Sequence, residues 1–147
     1  MRSKLSIVTF ISPVLIGAGD YRPTSYGYTV PLAGREEANF GHASGVAGDP
    51  DAFGFATLTV NPLKKQLCYH IALANVSTPL MAFVHEGPRL RNGPPRVTLF
   101  TGPGGELDNC IIWTRKQLAE IVANPSNYYV DVATTEFPDG ALRGQMH

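Results

Sequence analysis

Phe55-Ala56-Thr57-Leu58-Thr59-Val60-Asn61-Pro62-Leu63-Lys64-Lys65-Gln66-Leu67-Cys68-Tyr69-His70-Ile71-Ala72-Leu73 decides the fold. Ala56, Leu58 and Val60 fall on one face of the first run, with Phe55, Thr57 and Thr59 on the other. After the turn, Leu67, Tyr69, Ile71 and Leu73 alternate with Cys68, His70 and Ala72. Period two is the signature of a strand with one buried face. Two such runs joined by Asn61-Pro62 and a solvated Lys64-Lys65 predict an antiparallel β-hairpin.

The same reading extends in both directions. Tyr28 to Leu32 begins regular structure, and residues 33–53 read as a long loop with at most one short edge strand. Leu80 to His85 is apolar on both faces, which predicts a covered strand. Glu86-Gly87-Pro88 and Asn92-Gly93-Pro94-Pro95 are loop chemistry. Arg96 to Phe100 is a further strand, ended by the turn Gly102-Pro103-Gly104-Gly105. One helix stands out. Thr114 and Gln117 form a capping box, Leu118, Ile121 and Val122 make an apolar stripe, and Asn124-Pro125 stops it. Tyr128 to Thr134 alternates again, and Leu142 to Met146 closes the sheet. The expectation is an all-β antiparallel sandwich or barrel of about seven or eight strands with one short helix.

The totals agree with one domain. The chain has 147 residues, and 15 glycines and 12 prolines punctuate it. Twelve Lys+Arg balance twelve Asp+Glu, so there is no basic face for nucleic acid and no polybasic run for anionic lipid. Arg2 and Lys4 precede the apolar stretch Leu5 to Ala18, the pattern of a secretory signal. That stretch is too short to span a membrane, and the competing reading of residues 1–18 is a first strand. Residues 19–27 read as a linker and residues 28–147 as the β domain. Cys68 and Cys110 fit one disulfide in an oxidising compartment or two small buried side chains in a reducing one. The expected location is secreted or periplasmic, or cytoplasmic if residues 1–18 are a strand.

Several segments, in order, resemble the CHRD domain family. They are Tyr28-Thr29-Val30-Pro31-Leu32-Ala33-Gly34-Arg35-Glu36-Glu37, the run Gly54 to Pro62, and Val84-His85-Glu86-Gly87 with Asn92-Gly93. The closing run is the most specific: Asn124-Pro125-Ser126-Asn127-Tyr128-Tyr129-Val130-Asp131-Val132, then Phe137-Pro138-Asp139-Gly140-Ala141-Leu142-Arg143-Gly144-Gln145. The resemblance implies an immunoglobulin-like β-barrel with limited similarity to copper/zinc superoxide dismutases. The family occurs in chordin, an extracellular binder of growth factors, and in small microbial proteins of unassigned role. Its typical members carry a His-x-His in the central segment and a third histidine after the paired tyrosines. Here Phe83 stands at the first position, His85 remains, and Ala133 takes the third. One imidazole of three does not make a zinc or copper site. His42, His70 and His147 have no spacing that brings them to it, so neither metal nor cofactor is expected.

The candidate site therefore centres on His85. Imidazole titrates near neutrality, and Glu86 or Asp131 would orient it as a general acid or base. Phe83 and Ala133 would open an apolar pocket around it, with Tyr129 and Arg143 as binding groups. The structural alternatives are a histidine bonded to a backbone carbonyl, and an Arg143–Gln145 pair that satisfies carbonyls and a neighbouring acidic group. Tyr128 and Tyr129 point to opposite faces, one to the core and one to the rim. Two functions follow. The first is an extracytoplasmic binding module for a protein or small ligand. The alternative is a small cofactor-independent isomerase, cyclase or lyase using His85, Glu86 and Asp131.

Overall fold

The computed structural model describes residues 23–38 and 47–147; the expected signal or first strand at 1–18, and His42, lie outside them. Eight antiparallel strands form one sheet that curls into a nearly closed barrel. They are β1 (Tyr26–Ala33), β2 (Phe53–Asn61), β3 (Gln66–Ala74), β4 (Pro79–Glu86), β5 (Pro95–Thr101), β6 (Asp108–Ile112), β7 (Tyr128–Thr134) and β8 (Leu142–Gln145). Their order is β5-β4-β7-β8-β1-β2-β3-β6. The hairpin read from alternation is β2–β3, in register from Phe53↔Ala74 to Asn61↔Gln66. Ala56, Leu58, Val60, Leu67, Tyr69 and Ile71 are buried, while Phe55, Thr57 and Thr59 face outward. Across the seam the Tyr69 hydroxyl donates to the Leu99 carbonyl at 2.9 Å, tying β3 to β5.

Two departures from the sequence reading have simple causes. Regular structure begins at Tyr26 rather than Tyr28, because β1 pairs with the full length of β2 from Tyr26↔Val60 onward. The strand β6 was not anticipated. Its five residues, Asp-Asn-Cys-Ile-Ile, are too few for clear alternation and start with turn-forming types, and only pairing with β3 makes them a strand. The helix α1 (Arg115–Ala123) forms where expected. The Thr114 hydroxyl accepts from the Gln117 backbone N–H at 3.3 Å, and Leu118 and Ile121 are buried in the core.

Strand β8 joins two halves of the sheet, β5-β4-β7 on one side and β1-β2-β3-β6 on the other. Gly144 makes that junction possible, since a Cβ there would meet the Pro31 carbonyl oxygen at 2.1 Å. Inside the barrel Val84, Val130, Val132 and Leu142 pack on Leu32 and Leu58 in one core.

Cys68 and Cys110 stand opposite each other on β3 and β6 and are disulfide-bonded, which closes the question the sequence left open. The bond pins the short edge strand and closes a loop of 42 residues. Loop-closure entropy puts its contribution at about 4 kcal/mol. Reduction, or Cys68→Ser with Cys110→Ser, should lower the melting temperature by more than 10 °C; equal melting of the oxidised and reduced protein would refute this.

Candidate functional site

The register of β4, β7 and β8 aligns the site. Phe83 pairs with Asp131, which pairs with Arg143; His85 pairs with Tyr129, which pairs with Gln145; Met81 pairs with Ala133. Side chains alternate along a strand, so Phe83, His85, Tyr129, Asp131, Ala133 and Arg143 share one face. It is the outer face of the barrel, since Ala82, Val84, Val130 and Val132 point into the core. Six of the seven predicted site residues are brought together there. Glu86 is not. It lies on the other side of the pleat, and its carboxylate takes the Arg96 guanidinium at 2.6 Å.

The centre of the cluster is a stack. The Tyr129 ring lies between His85, arriving from β4 with ring centroids 4.9 Å apart and planes 12° from parallel, and Arg143, arriving from β8 with its guanidinium carbon 3.4 Å from the ring centroid. Phe83 meets the His85 ring edge-on at 5.6 Å. Stacking of a guanidinium on a phenol face contributes about 0.5–2 kcal/mol, at the upper end when desolvated. Arg143 is 1% exposed and Tyr129 1% exposed. Of the pair Tyr128 and Tyr129, expected as one core and one rim residue, both are buried. The loop between β4 and β5, residues 87–94, covers Tyr129.

The cluster holds that loop by its backbone. Arg143 donates to the carbonyls of Pro88 at 2.9 Å and Arg91 at 2.8 Å, and to the side-chain oxygen of Asn92 at 3.0 Å. His85 Nδ1 donates to the Gly93 carbonyl at 2.8 Å, and the Gly93 N–H donates to the Tyr129 hydroxyl at 3.1 Å. Gln145 Nε2 donates to the carbonyls of Gly87, Ser126 and Tyr128. Only glycine fits at 93, where a Cβ would lie 1.6 Å from the Glu86 carbonyl oxygen. A carbonyl can only accept, so Nδ1 carries the proton in the neutral ring and Nε2 is left as the acceptor. Burial lowers the His85 pKa, with the nearby Arg143 charge acting in the same direction.

Beneath Arg143 lies a group the candidate set lacked. Glu37 follows the 3-10 turn Gly34–Glu36 and is 8% exposed. Its carboxylate lies over Gly140, where a Cβ would come within 3.0 Å of Oε2. Its Oε1 has no hydrogen-bond partner among the described residues. Burial, then the Asp131 charge, pushes the Glu37 carboxyl up to about 8, against an opposing pull from Arg143. Burial likewise pushes Asp131 up to about 7, with Arg143 again opposing. Glu37 was legible only as the second member of the acidic pair Glu36-Glu37; nothing in its spacing relates it to Asp131 or Arg143. Its neighbour Glu36 instead forms a two-pronged ion pair with Arg89, both contacts at 2.7 Å. Among the described residues no three His, Cys, Asp or Glu side chains converge as metal ligands. His70 pairs with Asp108 on the far side of the sheet.

Both carboxyls titrate higher in the folded chain than their ordinary values of 4.5 and 3.8. Their contribution to stability is fully present below about pH 4 and is lost as pH rises through the folded values, up to about 8. His85 has the opposite sign, favouring the fold above 6.5 and losing that contribution as pH falls through its lowered value. Glu37→Gln should therefore raise stability at pH 8 and flatten the decline between pH 4 and 8 in urea titrations. An unchanged slope would show that the pair is not linked to folding.

The family model described as CHRD domain matches residues 28–146, from the third residue of β1 to the residue after β8. No curated protein and no solved structure matches the chain. The match takes in most of β1, every later strand, the helix, the covered loop and the whole His85–Tyr129–Arg143 cluster, and the chain belongs to the CHRD domain family.

Proposed function

We propose that the domain is an extracytoplasmic binding module that presents residues 87–94 to a protein partner as a preformed recognition loop. A CHRD domain on a barrel-like scaffold fits a binding module. The observation that carries the reading is the use made of the buried cluster: Arg143, His85, Tyr129 and Gln145 each make at least one hydrogen bond to the loop backbone. Ordering a loop before it meets its partner removes an entropy cost from binding. Loops on a rigid scaffold are where recognition is usually placed. The tip has the composition for it. Leu90 is 54% exposed and sits at φ 61, a left-handed conformation that costs a non-glycine residue about 1–2 kcal/mol. An exposed leucine held in strain between two arginines has no role in the core. Arg89 is anchored by Glu36, while Arg91 projects to solvent. The extracytoplasmic location draws on the signal-like residues 1–18 and on the disulfide, which suits an oxidising compartment.

A photoreactive side chain placed at Leu90 should give a discrete cross-linked species in the extracellular fraction of the producing cells. The same probe at Lys116, on the exposed side of α1, should not. Arg143→Lys, which removes the forked contacts to Pro88 and Arg91, should reduce the Leu90 adduct at least fivefold. Equal cross-linking from both positions would overturn the reading.

A second reading, a cofactor-independent acid–base enzyme, is favoured by one observation: Glu37 and Asp131 both titrate near neutrality beside Arg143. His85 separates the two. In an enzyme, His85→Ala would cost about 10²–10⁴-fold in turnover with the fold intact. In a loop-holding role it should cost about 1–3 kcal/mol of stability and weaken binding only as far as the loop loosens. Melting temperature and cross-linking yield, measured together on that variant, distinguish these outcomes.

A further inference from the structure

The outer face of β1–β2–β3 carries two large aromatic side chains that the core does not use. Phe53 is 54% exposed and Phe55 52% exposed. They are neighbours at i and i+2 on one strand face, about 7 Å apart along β2. Their cross-strand partners are small: Ala33 and Ala74 flank Phe53, and Pro31 and Ala72 flank Phe55. Nothing in those rows rises over the rings. The next row along the same face is Thr29, Thr57 and His70, and the one after it Gly27, Thr59 and Cys68. At the open end a cleft is lined by Pro31, Ala33, Arg35, Asp51, Phe53 and Phe55.

We propose that this face is a binding site for a neutral saccharide chain, with Phe53 and Phe55 as the stacking platform. A pyranose ring has a C–H face and a hydroxyl edge. The negative face of a phenyl ring attracts the first. The second needs donors and acceptors beside the platform, which the Thr29 hydroxyl, the Arg35 guanidinium and the Asp51 carboxylate supply, with the Thr57 hydroxyl, which donates to the His70 carbonyl, as a further acceptor. None of the six positions in the two Phe rows is ionisable, and the charges of Arg35 and Asp51 beside them are opposite in sign, so the patch has no net charge to select a charged polymer. Size argues against a second copy of the chain. About half of each phenylalanine is open, roughly 100 Å² apiece. Together they offer far less than the roughly 800 Å² per partner that a stable dimer covers. Two adjacent sugar rings match the patch. The site is on a different face from the loop of residues 87–94 and does not depend on that loop's role.

Native gels cast with xyloglucan, galactomannan or a soluble β-glucan test this directly. At least one polymer should retard the protein, and Phe53→Ala with Phe55→Ala should weaken the retardation at least tenfold. Phe55→Tyr, which keeps the ring, should retain it. The melting temperature of the alanine variant should stay close to that of the parent, because both rings are more than half exposed. No retardation by any neutral polymer, retardation that survives the double substitution, or retardation by dextran sulfate alone would each overturn the proposal. So would concentration-dependent sedimentation abolished by the same substitutions, which would make the face a contact between copies.

Discussion

A buried guanidinium organises the functional end of this domain. Arg143 brings a guanidinium into the interior, and its removal from water is tolerable only because its N–H groups find oxygens and its flat face finds the Tyr129 ring. Those requirements bring a loop, a strand and two carboxyls to one place. The loop carbonyls complete the coordination of Arg143, and the loop is held in one shape as a result. Lysine cannot substitute in this geometry, since a point charge lacks both the fork and the planar face.

The carboxyls complete the electrostatics. Glu37 and Asp131 lie close enough to Arg143 to feel its field, yet among the described residues the ion pairs are His70–Asp108, Arg89–Glu36 and Arg96–Glu86. Arg143 gives its hydrogen bonds to neutral oxygens instead. Burial therefore outweighs its attraction at both carboxyls, and they resist ionisation. The donors of the polar cluster are satisfied on the loop side, while Glu37 Oε1 and Gln145 Oε1 lack partners among the described residues. Such an imbalance is where acid–base chemistry or pH sensitivity can reside.

Most of the architecture was legible in sequence because one face of nearly every strand is buried and period two records it. The hairpin Phe53–Ala74 and the capped helix at Thr114 are local patterns with local causes. Strand β6 was not legible, because its identity comes from β3. In the candidate site the alignment of Phe83, His85, Asp131 and Ala133 followed from strand alternation and family resemblance. Arg143 as a partner of backbone carbonyls was among the alternatives read from sequence, and it is the one seen. Glu37 escaped because it approaches through a turn from a strand more than ninety residues away in the chain, a relation no periodicity encodes. One of Tyr128 and Tyr129 reads as rim, yet both are buried, because alternation tells which face a side chain takes, not whether a loop later lies over that face.

The four-residue strand β8 has a consequence for how the chain is made. Among the described residues it follows every other strand in sequence, yet it is the only hydrogen-bonded link between β7 and β1. The halves on either side can each pair their own strands as they emerge from the ribosome. Neither can bury its open edge until Leu142 to Gln145 has been synthesised and slotted between them. The β1 edge therefore stays unpaired from Ala33 until Leu142, most of the chain's length, whereas the β7 edge waits only from Thr134; an edge open that long is the condition under which strands of different chains pair with one another.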